Sequence, residues 1–209
     1  MKKEIVTLIC AAFLGAGPAM SQALSEVEVG QVAAEVQRCF QNSFSNDDAR
    51  QCLELPLALL DCDDSAYQQS SRYGGGQTGA NICMGDANKV SDAVLNNEYQ
   101  KAIAYLRADD QAAYGDPLSV WDATQQDYVL QTREETLRIS QRAWLTYSNT
   151  HCTTSNLATA SGSIHSMNMG GCFANLMDDQ IMFLMGIRLG AGAMAEGTFW
   201  GDEFRYDGY

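Results

Sequence analysis

The sequence has 209 residues and a formal net charge of −13 at pH 7, from 26 acidic and 13 basic residues. Such an acidic chain does not bind nucleic acid or anionic lipid through bulk electrostatics, but it attracts cationic partners at a rate that falls as salt is added. Its length and its hydrophobic content of 46% suit one domain with a sizeable core. Acidity also keeps exported proteins soluble, so charge alone assigns no partner.

The first residues have the pattern of a secretory signal. A start with two lysines precedes the apolar run "IVTLICAAFLGAG", and "PAMSQA" supplies the small residues of a cleavage site. The run is too short to span a membrane comfortably, and no second run follows. We predict a signal peptide over residues 1–22, cleaved after about Ser21 or Ala23, and a periplasmic or secreted protein. The segment carries two lysines and one glutamate, so the charge left after cleavage is −13 − 1 = −14.

Residues 23–61 are predicted to form an N-terminal helical extension. Ser25 and Glu28 have the spacing of a capping box, and an apolar stripe follows them in "EVEVGQVAAEVQRCF". A second helix, "DDARQCLELPLALLDC", is predicted to follow an Asn46 cap. Pro56 either kinks this helix or starts another short one. The extension could form a separate helical hairpin, since Cys39 and Cys52 could close it.

The rest of the chain alternates between helical patterns and loops. A polar loop with three consecutive glycines, Gly74 to Gly76, precedes the clearest helix, at residues 85–110. A turn-rich connection containing Pro117 leads to a long helix predicted from Asp127 to His151, with Leu130 on its apolar side. A small-residue loop at 153–171 and a last helix at 172–192 follow. Since no segment alternates with period two for long, we predict an all-α, disulfide-stapled bundle with a flexible aromatic tail over 190–209.

Cysteine usage favours cross-links. Removing the signal takes away Cys10 and leaves 7 − 1 = 6 cysteines, an even number that favours three disulfides in an oxidising compartment. Six cysteines allow fifteen pairings, and pairing between sequence neighbours is the simplest. Chain entropy assigns about 3 kcal/mol to each loop of that kind. The six residues are Cys39, Cys52, Cys62, Cys83, Cys152 and Cys172.

No catalytic or metal site is predicted. Cys152 follows His151, but a nucleophilic cysteine needs a free thiolate, and adjacent helical residues point about 100° apart. His151 and His165 without neighbouring carboxylates make a poor metal site. The loop after Asp61 lacks the residues of a calcium loop, and the acidic pairs Glu134–Glu135 and Asp178–Asp179 fit solvated faces. With no nucleophile elbow or phosphate loop either, we predict a protein that is not an enzyme and needs no cofactor.

An ordered set of motifs resembles one known family. "LNNEYQKAIAYL", "LRISQRAWLTYSNTHC", "SGSIHSMNMGGC" and "LMDDQIMFLMGI" follow one another as in the LprI-like lysozyme-inhibitor domain, over about residues 62–189. The matching positions besides the last four cysteines are Asn81, Leu95, Asn96, Tyr99, Gln141, Arg142, Ala143, Trp144, Tyr147, Gly162 and Ser163. The chain departs from the family pattern at Ala80, at Ser148-Asn149 and at Gln180. We expect these departures to remove charges from helix surfaces.

The resemblance implies a non-catalytic binding protein that inhibits a lysozyme or a related peptidoglycan hydrolase by covering its substrate cleft. A cationic lysozyme is then the expected partner, and the loop between Cys152 and Cys172 is the candidate contact. Its tip would be Ser161, Gly162, Ser163, Ile164 and His165, with the Gly74 loop as second candidate. Trp144 and Tyr99 fit the core better than a contact. The alternatives are an envelope protein-interaction module that docks through its aromatic tail and, least favoured, a hydrolase.

Overall fold

A computed structural model describes residues 23–43, 45–60, 62, 72–74, 76–112 and 116–196. These residues form six α-helices and one two-stranded β-sheet, so the predicted disulfide-stapled helical bundle is confirmed. The predicted signal segment, most of the loop after Asp61 and residues 197–209 of the predicted tail lie outside the described residues. Residues 190–196 of that predicted tail are helical instead.

The N-terminal helices follow the local sequence signals closely. Helix α1 spans Glu26–Gln41 and begins with the predicted capping box: Ser25 N–H donates to Glu28 Oε2 at 2.8 Å. Helix α2 spans Asn46–Leu53, and its cap is Ser45 rather than Asn46. Pro56 lies in the first turn of a separate helix α3, Leu55–Leu59, so of the two alternatives it starts a new helix.

Helix α4, Gly76–Gln111, begins well before the predicted residue 85. The predicted polar loop runs to Asn81, but residues 76–84 are all helical. Their inward positions Ala80 and Cys83 are buried at 5% and 1% exposure, and Cys83 is held by a disulfide. Tertiary packing therefore outweighs the low helix propensity of this segment.

A β-hairpin replaces the predicted connection and the start of the predicted helix at Asp127. Strand β1, Leu118–Asp122, pairs antiparallel with strand β2, Asp127–Gln131, through a turn at residues 123–126. Each strand has five residues, too few for the period-two pattern to be detected. Leu130, placed on an apolar helix stripe by the prediction, is a strand residue that is 71% exposed.

The last two helices leave little of the predicted loop at 153–171. Helix α5, Arg133–Ser155, is followed by a short 3-10 helix at Leu157–Thr159, and helix α6 starts at His165 and runs to Glu196. Hydrogen bonds from Asn81 to Ser163 and from Arg107 to Glu134 show that α4 and α5 run antiparallel. Helix α6 runs parallel to α4, since Gly170 lies against Met84 and Arg188 binds Glu98.

One hydrophobic core joins all six helices, with Val36, Val90, Val94, Ile181 and Leu184 at its centre. Three disulfides join sequence neighbours: Cys39–Cys52, Cys62–Cys83 and Cys152–Cys172. In the parts of the chain described, no helix is both long and apolar enough to cross a lipid bilayer.

Candidate protein-binding surfaces

The predicted contact loop is a short, braced turn at one end of the bundle. Ser161 to Ile164 are exposed between the 3-10 helix and α6, while His165 is half-buried as the first residue of α6. Gly162 N–H donates to Thr159 O at 2.8 Å, and His165 N–H donates to Gly162 O at 3.1 Å. Asn81 on α4 donates to Ser163 O at 3.2 Å, and the Cys152–Cys172 disulfide joins the flanking helices. The turn therefore presents a small surface of fixed shape.

The adjacent residues His151 and Cys152 have structural roles. Cys152 is fully buried in its disulfide, so no thiolate is available there. His151 points about 100° away from Cys152 to the exposed side of α5, where it stacks on the ring of Tyr147 with centroids 5.3 Å apart. His165 approaches Thr159 Oγ1 at 3.3 Å. Among the described residues, no group of three or more histidine, cysteine or acidic side chains is placed to hold a metal ion.

The motif residues of α4 and α5 lie mainly between helices. Leu95 is buried, Tyr99 and Trp144 are half-buried, and Gln141 accepts a hydrogen bond from Gln180 on α6 at 2.9 Å. Asn96, Arg142 and Tyr147 are exposed, and Asn96 donates to Asp92 at 3.0 Å within α4.

The residues that differ from the family pattern are predicted to lie on helix surfaces. For three of them this prediction is wrong. Ala80, Ser148 and Gln180 are 5%, 3% and 7% exposed, so their side chains are buried in the bundle. Only Asn149 is exposed. Burial explains why small or neutral side chains fit there, since a charge at such a position would lose its hydration.

The hairpin forms a second exposed surface, which the sequence did not reveal. Trp121 and Tyr128 face each other across the strands with ring centroids 5.3 Å apart in an edge-to-face arrangement, and they are 54% and 64% exposed. Five-residue strands rich in β-branched and aromatic residues are the only signal that could have located this element.

The comparison with protein families decides the membership of the chain. The family model described as "Lysozyme inhibitor LprI" matches residues 62–184, which is more than half of the sequence. The chain belongs to the LprI lysozyme-inhibitor family. This confirms the resemblance drawn from the ordered motifs. The match begins at Cys62, and thus includes α4, the hairpin, α5 and most of α6.

A relative gives no further functional information. A Rhizobium meliloti (strain 1021) protein described as uncharacterized is 29% identical over 106 residues, which is 48% of this chain and 65% of the relative. The match therefore spans slightly less than two thirds of that protein. No solved structure matches this LprI-family chain.

A shallow groove of about 490 Å³ lies between α4, α5 and α6 of the LprI-family domain. Its apolar lining includes Leu95, Trp144, Phe173 and Met177, and its polar lining includes Asn88, whose buried Oδ1 has no hydrogen-bond partner. Trp144 is thus both a packing residue and part of an open surface. We assign the groove no ligand, because its lining is mixed and nothing in the structure indicates what covers it.

The two acidic pairs have opposite electrostatic environments. Arg107 and Arg138 donate hydrogen bonds to Glu134 and lower the pKa of its carboxyl to about 2. Burial raises the pKa of Asp178 to about 7, with a smaller contribution from the neighbouring Asp179. The other charged groups that act on Asp178 are Arg50 on α2, which lowers its pKa, and Glu54 between α2 and α3, which raises it. Asp178 thus lies at a junction between the N-terminal helices and α6.

Asp178→Asn is expected to flatten the pH dependence of stability. The pKa of Asp178 is about 7 in the folded chain against 3.8 ordinarily, so the folded chain binds the extra proton and stability falls between about pH 4 and pH 7. The full shift corresponds to about 4 kcal/mol, which solvent access to this half-buried group reduces to about 1–2 kcal/mol. The variant should therefore be more stable than the unmodified protein at pH 8 and equal to it at pH 4.

Denaturant unfolding at several pH values measures this difference. Asp179→Asn is the matched control, because the Asp179 side chain is 70% exposed and pairs with Arg50 only at 3.5 Å. An equal gain in unfolding free energy in both variants, or a gain at pH 4, would show that burial of Asp178 does not cause the pH dependence of stability.

Proposed function

We propose that this protein is an exported, non-catalytic inhibitor that binds a lysozyme or a related peptidoglycan hydrolase and covers its substrate cleft. Membership of the LprI lysozyme-inhibitor family is the observation that carries the proposal. The predicted signal segment and the three disulfides support an oxidising, extracytoplasmic location.

Charge supports a cationic partner. The chain carries twice as many acidic as basic residues, and lysozymes of the chicken type are strongly basic. Complementary fields raise the rate of encounter between two proteins, and they do so less as salt screens them.

Rigidity supports steric occlusion. A surface held in shape before binding loses little conformational entropy on binding, so more of its contact energy appears as affinity. The turn at Ser161–His165, braced by the Cys152–Cys172 disulfide and by Asn81, is the contact that the sequence suggests. The hairpin at the other end of α5 is the second exposed surface of this kind.

Inhibition should be strongest at low salt. We expect the mature protein to inhibit a basic lysozyme at micromolar concentration or below, with an inhibition constant that rises about tenfold between 20 and 300 mM salt. The assay is hydrolysis of a soluble, uncharged chitin oligosaccharide, with the uninhibited rate measured separately at each salt concentration. Absence of inhibition for several lysozyme types would refute the proposal. In that case, binding to an envelope protein without inhibition would favour the interaction-module alternative.

A further inference from the structure

The hairpin places its side chains on two unequal faces. In the observed register Val120 pairs with Val129, and these two residues are half-buried on one face. On the opposite face Trp121 pairs with Tyr128 and Ser119 pairs with Leu130. Tyr128 and Leu130 are 64% and 71% exposed, so the face with the rings is directed to solvent.

An exposed aromatic pair of this kind suits a contact surface. Aromatic rings contribute large contact areas to interfaces with few rotatable bonds, and they dominate the energetics of many protein complexes. The cross-strand contact between Trp121 and Tyr128 helps to stabilise the hairpin, yet more than half of each side chain stays exposed. This exposed area is available to a partner.

The base of the hairpin is fixed to the bundle. Asp110 at the end of α4 accepts hydrogen bonds from the backbone N–H groups of Arg133 and Glu134 at 3.1 and 3.0 Å. The Arg133 guanidinium also donates to Asp116 O at 3.4 Å, which joins the entry of the hairpin to its exit. Arg107 bridges α4 to Glu134 with two bonds of 2.8 Å.

The tip of the hairpin is ordered by its own side chains. Asp122 accepts hydrogen bonds from the backbone N–H groups of Thr124 and Gln125 at 2.8 and 3.2 Å, and these bonds lower the pKa of its carboxyl. Gln126 has a φ of 53°, the left-handed conformation that reverses the chain into β2. With both base and tip held, the ring pair has a defined orientation before any partner binds.

The charge of the hairpin indicates the chemistry of its partner. Residues 116–131 contain Asp116, Asp122 and Asp127 but neither lysine nor arginine. An aromatic pair flanked only by acids complements a surface that combines an apolar recess with a basic rim. A substrate cleft on a cationic, sugar-hydrolysing enzyme has both properties, because such clefts are concave, largely apolar and lined with aromatic side chains.

We propose that the hairpin is the element that enters this cleft, with Trp121 and Tyr128 taking the place of sugar rings and the aspartates contacting the basic rim. The inference rests on the proposed inhibitory function and names the surface that performs it. The turn at Ser161–His165 lies at the opposite end of helix α5, whose 23 residues span about 34 Å. One narrow cleft cannot hold both surfaces, and the turn contains no tryptophan, tyrosine or phenylalanine.

The test compares hairpin and non-hairpin variants as inhibitors of a basic lysozyme. Trp121→Thr/Tyr128→Thr keeps strand-forming residues in β1 and β2, and we expect it to raise the inhibition constant at least thirtyfold. Tyr147→Thr is the matched control, since Tyr147 is an aromatic residue with 54% exposure, equal to that of Trp121. This control should inhibit within threefold of the unmodified protein. Ile164→Ser/His165→Ser tests the turn, and a loss of inhibition in this variant that exceeds the loss in the hairpin variant would overturn the inference.

Two further measurements keep the outcomes distinct. Circular dichroism and thermal unfolding should show the same helical fold in all variants, and the single variant Trp121→Thr replaces the double variant if the latter unfolds. A chitin oligosaccharide that fills the cleft should weaken binding of the unmodified protein to lysozyme.

If the unmodified protein inhibits and the hairpin variants inhibit equally well, the hairpin inference is wrong and the inhibitory function stands. If the unmodified protein neither inhibits nor binds, both are wrong.

Discussion

Gly79→Ala is expected to destabilise the protein by about 2–4 kcal/mol, although alanine is the better helix former. Gly79 lies in the first turns of α4, where the chain of the preceding turn crosses the helix. A β-carbon at this position would lie 2.5 Å from the carbonyl oxygen of Gly74 and 2.7 Å from that of Tyr73. Both obstacles are backbone atoms, so no side-chain rotation relieves them.

Relief of the clash requires a shift of the turn at 72–74, which disturbs the core. Tyr73 is 2% exposed and belongs to the core, so moving its backbone disturbs buried packing. Gly74 has a φ of +70°, which glycine adopts without strain, so the cost comes from Tyr73 rather than from Gly74.

Gly30→Ala is the matched control for this prediction. Gly30 lies within α1, and a β-carbon there would meet no atom within 4 Å. Helix propensity should then act alone and stabilise the protein by about 0.5–1 kcal/mol. Denaturant unfolding measures both variants. A change in unfolding free energy of the same sign in both variants would show that the close approach of the turn to α4 does not constrain the fold.

The sequence predicted elements whose determinants are local. The capping box at Ser25 and Glu28 and the new helix at Pro56 depend on neighbouring residues, and both are present. The helix starts at Gly76 and His165 were missed because glycine and serine favour loops locally, whereas a disulfide and helix packing hold these segments. Nonlocal packing leaves no periodic signal in so short a stretch.

The candidate surfaces were harder to predict than the fold. The strands of the hairpin have only five residues each. In addition, Leu130 lies at a helical spacing from the apolar residues of α5, the long helix that follows. The burial of Gln180 and Ser148 depends on how α5 and α6 meet, which sequence periodicity does not define to the residue. The exposed ring pair is visible only after strand pairing places Trp121 opposite Tyr128.

Glu98→Ala is expected to cost about 2–4 kcal/mol of unfolding free energy, because Glu98 holds three helices together. Its side chain is 1% exposed on α4. It accepts hydrogen bonds from Lys101 at 2.7 Å and from Arg188 on α6 at 3.2 Å. Lys101 in turn donates to Gln37 on α1. Removing the carboxylate opens a void and leaves both cations without this partner.

Partial exposure of the cations limits the loss. Lys101 and Arg188 keep 38% and 30% of their side-chain surfaces exposed, so water partly replaces the lost bonds and the cost stays below that of a wholly buried pair. Glu98→Gln keeps the volume and one acceptor oxygen, and we expect it to cost about 1–2 kcal/mol. Adding Arg188→Met to Glu98→Gln should recover part of that loss, since the cation is removed with its partner.

Glu35→Ala is the control for an ion pair at the surface. Glu35 pairs with Arg38 one turn along α1, and the Arg38 side chain is 61% exposed, so its loss should cost less than about 0.5 kcal/mol. Urea unfolding provides the comparison, with the free energy of unfolding falling at the same slope with urea concentration in all variants. A cost for Glu98→Ala no larger than that for Glu35→Ala would mean that the buried carboxylate does not join the helices. The anchoring of α1 on the family domain would then depend on apolar packing and on other polar contacts, such as the ion pair between Glu28 and Arg72.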